Sequence, residues 1–329
     1  RNIRKWKREY LALSAAGLLF YGCTPFLFSA KAIYGGIVAA TVLFAFAGGM
    51  LEIVLSNVAD SLPSGRGGAS ICLLHTAYAW AQVALALVLL AFVALFGAER
   101  WNFMVLVLAL VPVSVLFLLF GAKFPPREKS APARASFKPF YLFAVLAVFF
   151  GYGTEVVMNQ WISAFTASLG GEAGGLIGCA AFALCLGVGG TVYSFVSGKR
   201  KDMPLFLLCA SALLAAAAYI GAALAPSDLL ALAFAALCGV FAGMLSPGAM
   251  TAASDFLPRS GGWMLASLAV SQDIGAAVLP SAAGALSEGS SLRTSFLVMS
   301  LVPFFAAAAL LLMALARAKS GKKRPKFPR

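Results

Sequence analysis

The sequence predicts an all-α, polytopic membrane protein made of two pseudo-symmetric helical bundles, and three observations predict it. The first is composition. Of 329 residues, 61% are hydrophobic and 11% charged, with a mean hydropathy of +0.92, against about 45–50% and about 25% in a soluble domain. No water-soluble fold hides that much apolar surface, which excludes disordered, disulfide-scaffold and ordinary cytosolic-enzyme readings. The second is the distribution of basic residues between apolar stretches, and the third is an internal repeat.

A helix that crosses the hydrocarbon needs about 20 mostly apolar residues. Ten stretches qualify, near 11–30, 34–57, 72–96, 102–121, 142–166, 174–197, 204–224, 229–252, 263–285 and 296–316. Pro25, Pro112, Pro247, Pro280 and Pro303 fall inside them, which membrane helices tolerate because neighbours re-satisfy the freed backbone groups. The 25 basic residues then divide between alternate connections. One set holds 22 of them, from Arg1–Arg8, Arg66, Lys123–Lys138, Lys199–Lys201, Arg259 and Arg317–Arg329; the other holds only Lys31, Arg100 and Arg293. By the positive-inside rule both termini are cytoplasmic and the span number is even, in a cell or inner membrane. The net charge of +13 is thereby read as topology rather than nucleic-acid affinity, and the Lys322–Lys326 cluster as an anchor. Cys23, Cys72, Cys179, Cys185, Cys209 and Cys238 lie in or beside apolar spans with no C-x-x-C among them, so they read as packing residues, and no metal or cofactor is expected.

The repeat has a six-span period. Gly49-Met50-Leu51 returns as Gly243-Met244-Leu245, the loop Asp60-Ser61-Leu62-Pro63 as Asp255-Phe256-Leu257-Pro258, and Gly67-Gly68 as Gly261-Gly262, at offsets of 194, 195 and 194. Lys5 and Lys7 fall on Lys199 and Lys201 at the same offset. Parallel six-span halves are a recurring transporter architecture, so the ten spans are expected to be ten of twelve, with two preceding Arg1. The organisation expected is a partial N-terminal bundle of four spans over 1–121, a cytoplasmic inter-bundle loop over 122–139, a six-span bundle over 140–317 and a basic tail over 318–329.

These residues resemble the major facilitator superfamily, and within it the fucose-permease-like sugar:proton symporters. Arg4-Lys5-Trp6-Lys7-Arg8 resembles the basic loop between that family's second and third helices. Gly48-Gly49-Met50-Leu51-Glu52 resembles its fourth helix with a buried acid. Tyr152-Gly153-Thr154-Glu155 with Trp161 resembles its seventh helix, and Gln272-Asp273-Ile274-Gly275 with Pro280 and Gly284 its eleventh. Two departures stand out: Ser56, with Asn57 one residue later, occupies the family's asparagine place, and Lys199–Lys201 lacks the superfamily's aspartate-arginine pair. The acid carried by the first helix of the sugar symporters has no counterpart in this sequence.

A charge within the hydrocarbon costs about 2.5–3.5 kcal/mol on insertion scales, so each intramembrane acid needs a reason. Glu52, Glu155 and Asp273 qualify. Tyr152, Glu155 and Asn159, spaced three and four apart, share one helix face and offer a hydroxyl, a carboxylate and an amide to a polyol. Gln160 and Trp161 lie beside them, and an indole stacks on the apolar face of a sugar. Gln272 and Asp273 are candidates to line the same cavity from the ninth span. Glu52 is far cheaper to bury neutral than charged, which suits a group that carries a proton between sides, and Glu155 is the second candidate for that coupling. His75, Tyr78 and Gln82 share a face of the third span, where packing or capping is the favoured role for the chain's one histidine. Asp60 with Arg66, and Asp255 with Arg259, occupy equivalent loops of the two halves and are expected to form ion pairs that latch a cytoplasmic gate.

The function expected is secondary active transport of a small solute, with a hexose-like sugar and proton coupling implied by the resemblance, by a monomer rocking between two states. The partners are the solute, protons and lipid, without nucleic acid. A multidrug or metabolite exporter is the alternative. A ten-span drug/metabolite-type transporter would match span two to span seven rather than to span eight. A membrane enzyme would need a nucleophile or metal motif, and none is present.

Overall fold

The computed structural model describes residues 2–29, 31–60, 69–118, 139–197, 203–256 and 261–320. Among them there are ten helical stretches long and apolar enough to cross a membrane, from Glu9–Leu27 to Leu292–Lys319, each overlapping one expected span, and no strand. The helices are α1 Asn2–Leu27, α2 Ile33–Asp60, α3 Ala69–Phe96, α4 Trp101–Leu108, α5 Leu110–Leu118, α6 Pro139–Ser197, α7 Met203–Leu224, α8 Asp228–Ala242, α9 Leu245–Phe256, α10 Gly261–Glu288, α11 Leu292–Met299 and α12 Leu301–Ser320.

Three spans are interrupted, and proline explains all three breaks. Pro112, Pro247 and Pro303 are each the third residue of the resumed helix, after α4 ends at Leu108, α8 at Ala242 and α11 at Met299. A proline lacks the N–H that would bond the carbonyl four residues back, and its ring clashes with that carbonyl. For these prolines those carbonyls belong to Leu108, Gly243 and Met299, at the breaks themselves. Pro25 and Pro280 lie within unbroken helices. The run α6 carries two spans, Pro139–Leu169 and Gly174–Val196, and therefore doubles back. Residues twelve apart on a straight helix are about 18 Å apart, yet Gly178 abuts the Thr166 side chain, and a Cβ on Gly175 would stand 3.0 Å from the Ser163 carbonyl oxygen.

The chain divides into two compact units, residues 1–62 with 87–128, and residues 63–86 with 129–329. In the first unit, α1 packs on α2, α4 and α5. A Cβ on Gly17 would lie 3.0 Å from the Phe44 nitrogen, and Tyr21 meets Trp101 edge to face at 5.6 Å. In the second unit, α6 packs on α8, α10 and α12, and α7 on α8 and α12. Its core joins Met158, Ile162, Phe165, Phe182, Tyr219 and Phe296, with the Phe165 and Phe296 rings 4.9 Å apart. The N-terminal half of α3 joins this unit: Trp80 lies on Gly187, and its Nε1 donates to Thr191 Oγ1 at 3.1 Å. Arg293 closes one loop end, donating to the Ala225 carbonyl at 2.8 Å and pairing with Asp228 at 3.5 Å. Large apolar side chains such as Phe195, Phe206 and Leu229 are exposed, as lipid-facing residues are.

Candidate functional site

The second unit holds a carboxylate inside its apolar body. Glu155 sits in the first span of α6, followed by buried Val156, Val157 and Met158, and is itself only 5% exposed. The turn around it is pinned from α7, where the Tyr219 hydroxyl donates to the Thr154 carbonyl at 2.8 Å. Thr154 in turn donates its hydroxyl to the Phe150 carbonyl at 2.8 Å. Cys238 of α8 is close enough to interact electrostatically with Glu155.

Glu155 lines a cavity of about 10 Å³ together with His75, Thr76, Tyr78 and Ala79 of α3, Leu186 and Gly190 of α6, and Gly243. That is room for about one water molecule. Glycines bring the walls together. Thr76 and Trp80, one helical turn apart, face Gly190 and Gly187, and a Cβ on Gly190 would stand 3.0 Å from Thr76 Oγ1. Two polar side chains of α3 carry a buried atom without a hydrogen-bond partner: His75, at this wall, through Nε2, and Gln82, further along the helix, through Oε1. Gln82 donates its Nε2 to the Tyr78 hydroxyl at 2.6 Å.

Comparison of the sequence with curated proteins finds no match. Residues 179–328 match the sequence model of the Major Facilitator Superfamily. Solved structures extend the likeness to nearly the whole chain. The E. coli fucose:proton symporter FucP superimposes with a TM-score of 0.71 at 16% identity, over 94% of this chain and 84% of that one. The fold is that of the major facilitator superfamily. The proton:xylose symporter XylE gives 0.71 at 15% identity over 95% and 80%, and the human organic anion transporter MFSD10 gives 0.68 at 14% over 94% and 77%. The sequence motifs therefore pointed to the right fold, which all of these structures share with this chain.

Within this major facilitator fold the residues singled out from sequence fall in different surroundings. Tyr152 and Asn159 are half-buried on either side of buried Glu155, whereas Gln160 is exposed. Trp161 is engaged with α10: its Nε1 donates to the Pro280 carbonyl at 3.0 Å, and its ring lies against Gly284. Gln272 and Asp273 part company because adjacent helical residues point about 100° apart. Gln272 is buried and accepts a hydrogen bond from Ser246 Oγ at 2.7 Å, while Asp273 is exposed. Glu52 is half-buried in the first unit, and Asp255 is exposed near the end of α9. Arg66, Arg259 and the side chain of Asp60 lie outside the described residues. Among the described residues there is no cluster of three or more metal-ligating side chains.

The grouping of His75 and Thr76 with Glu155 was missed in the sequence. A signal was present, since the only histidine lies in an apolar span with Tyr78 and Gln82 on its face. What periodicity does not supply is which other helix that face meets.

Proposed function

We propose that this protein is a secondary active transporter that moves a small, uncharged, polyhydroxylated solute such as a hexose by alternating access, coupled to protons. The observation that carries the reading is Glu155, an ionisable group 5% exposed within an apolar span and lining a cavity. An intramembrane acid is a functional site by default, and a carboxyl that is buried neutral and ionises when water reaches it moves one proton per cycle. Glu52 is the second coupling candidate. Tyr152, Asn159, Gln160 and Asp273, which are exposed or half-buried polar groups of apolar spans, would line the solute path, with Trp161 and Gln272 holding its wall.

In this reading the bundles 1–121 and 140–317 rock about a midplane site, with the 122–139 loop joining them and the 318–329 tail, like the N-terminus, in the cytoplasm. Asp60–Arg66 and Asp255–Arg259 latch the cytoplasmic gate. The transporter works as a monomer in the cell or inner membrane. Among the described residues, Arg293 is taken up by Asp228 and backbone carbonyls at a loop end, which favours an uncharged solute over an anion.

The test is uptake of radiolabelled fucose, xylose and glucose into proteoliposomes under an imposed pH gradient. Glu155→Gln is expected to lower accumulation at least about tenfold and to lower sugar exchange without a gradient by much less, because the amide keeps a polar group toward the solute but carries no exchangeable acid proton. Accumulation unchanged by both Glu155→Gln and Glu52→Gln would remove the proposed coupling residues.

A further inference from the structure

The His75 ring is the part of the site that solute binding leaves unused. Its Nε2 is buried without a hydrogen-bond partner, and a buried polar nitrogen is costly to leave unpaired. It borders the same cavity as the Glu155 carboxyl, and that cavity has room for about one water. A buried water needs two to four polar partners. His75 Nε2, from α3, and Glu155, from α6, supply two, and Thr76 and Tyr78 border the same space.

We propose that His75 and Glu155 share one proton through a single water held in this cavity, so that His75 is the group through which Glu155 takes up and gives off its proton. The water donates to one partner and accepts from the other. A proton leaving the imidazolium for the water displaces one from the water to the carboxylate, so atoms and charge balance. With one proton on the pair, both placements (neutral acid with neutral imidazole, or carboxylate with imidazolium) carry no net charge. That is the condition under which two ionisable groups are least costly to bury. The other titratable groups facing the pair are Tyr78 on α3, which holds Gln82, and Cys238 on α8, which interacts with Glu155. Tyr219 on α7 donates its hydroxyl to the Thr154 carbonyl. The proposal rests on the reading of Glu155 as a coupling acid, but its test needs no solute.

Because the chain has one histidine, ¹⁵N-histidine labelling gives a single ring signal from the full chain in lipid nanodiscs. That signal is expected to titrate between about pH 4 and pH 9, with a midpoint that moves by about one unit or more when Glu155→Gln removes the partner charge. Glu288→Gln, at an exposed helix end, should leave the midpoint in place. Where Glu155→Gln fails to fold, His75→Gln reads the same coupling in reverse, as a displaced pH dependence of the Glu155 carboxyl band in the infrared. A ring signal that does not titrate, or a midpoint indifferent to Glu155, overturns the pair even if sugar uptake is proton-coupled. A coupled pair in a protein that accumulates no sugar upholds this inference and overturns the transport reading instead.

Discussion

The two copies of the internal repeat carry the same letters in different surroundings. Gly49-Met50-Leu51 lies within the unbroken helix α2, where an added Cβ on Gly49 would meet nothing within 4 Å. Gly243-Met244-Leu245 straddles the break between α8 and α9, where a Cβ on Gly243 would stand 2.7 Å from Leu186 and Leu245 is fully buried. At the repeat offset, Ile53 takes the place of Pro247 and Glu52 the place of Ser246. The proline accounts for the break. The serine is locked to Gln272, so the second copy has no acid at that position, and its buried acid is Glu155 on another helix. The copies keep the same letters while both the continuity of the helix and the chemistry around it differ.

The largest expected effect follows from the proline. Ile53→Pro writes the second copy's break into the first, at a place where α2 is continuous, and should cost about 3 kcal/mol. Thermal unfolding in detergent would read it as a large drop in Tm. A protein that tolerates the substitution would show that α2 already bends there as α8–α9 does.

A smaller effect is expected from the glycines. Gly239 corresponds to Ala45 in the first copy, so Gly239→Ala installs the residue the other copy uses. Its Cβ would stand 2.6 Å from the Phe182 carbonyl oxygen, backbone that does not yield readily, because α6 and α8 touch main chain to main chain here. The same unfolding measurement should give a loss of about 1–3 kcal/mol, against less than about 0.5 kcal/mol for Gly49→Ala. Equal losses would mean that α2 is as closely packed as α8.

These contrasts mark what was legible beforehand. All ten spans could be read from apolar length, because lipid imposes that length directly on the sequence. The internal repeat could be read because Asp60-x-Leu62-Pro63 and Asp255-x-Leu257-Pro258 recur in polar loops, where chance agreement is rare. Glu155 stood out because an acid amid apolar residues carries its own cost. Its neighbours did not, since Thr76 and Trp80 meet Gly190 and Gly187 across more than 100 residues, and periodicity reports a face without reporting what covers it. Gln272 and Asp273 looked like a pair only because they are adjacent in the chain, and on a helix adjacency separates.

The smallest expected effect concerns the loops where the repeat is clearest. If Asp60–Arg66 and Asp255–Arg259 are latches, each is an ion pair at the water boundary, where such pairs contribute about 0.2–1 kcal/mol. Charge reversal at either aspartate should therefore shift the balance between outward-open and inward-open states by no more than about fivefold. The shift should also fade as salt screens the pair. Alkylation of a cysteine placed in the cytoplasmic half of a span reads that balance, and the informative comparison is between the copies. Asp255→Lys and Asp60→Lys should act in the same direction and by similar amounts, because a latch is weakened from either side. An effect at only one of them would extend the divergence seen at Glu52 and Ser246 to the gate, and no effect at either would leave the four residues as solvated loop charge.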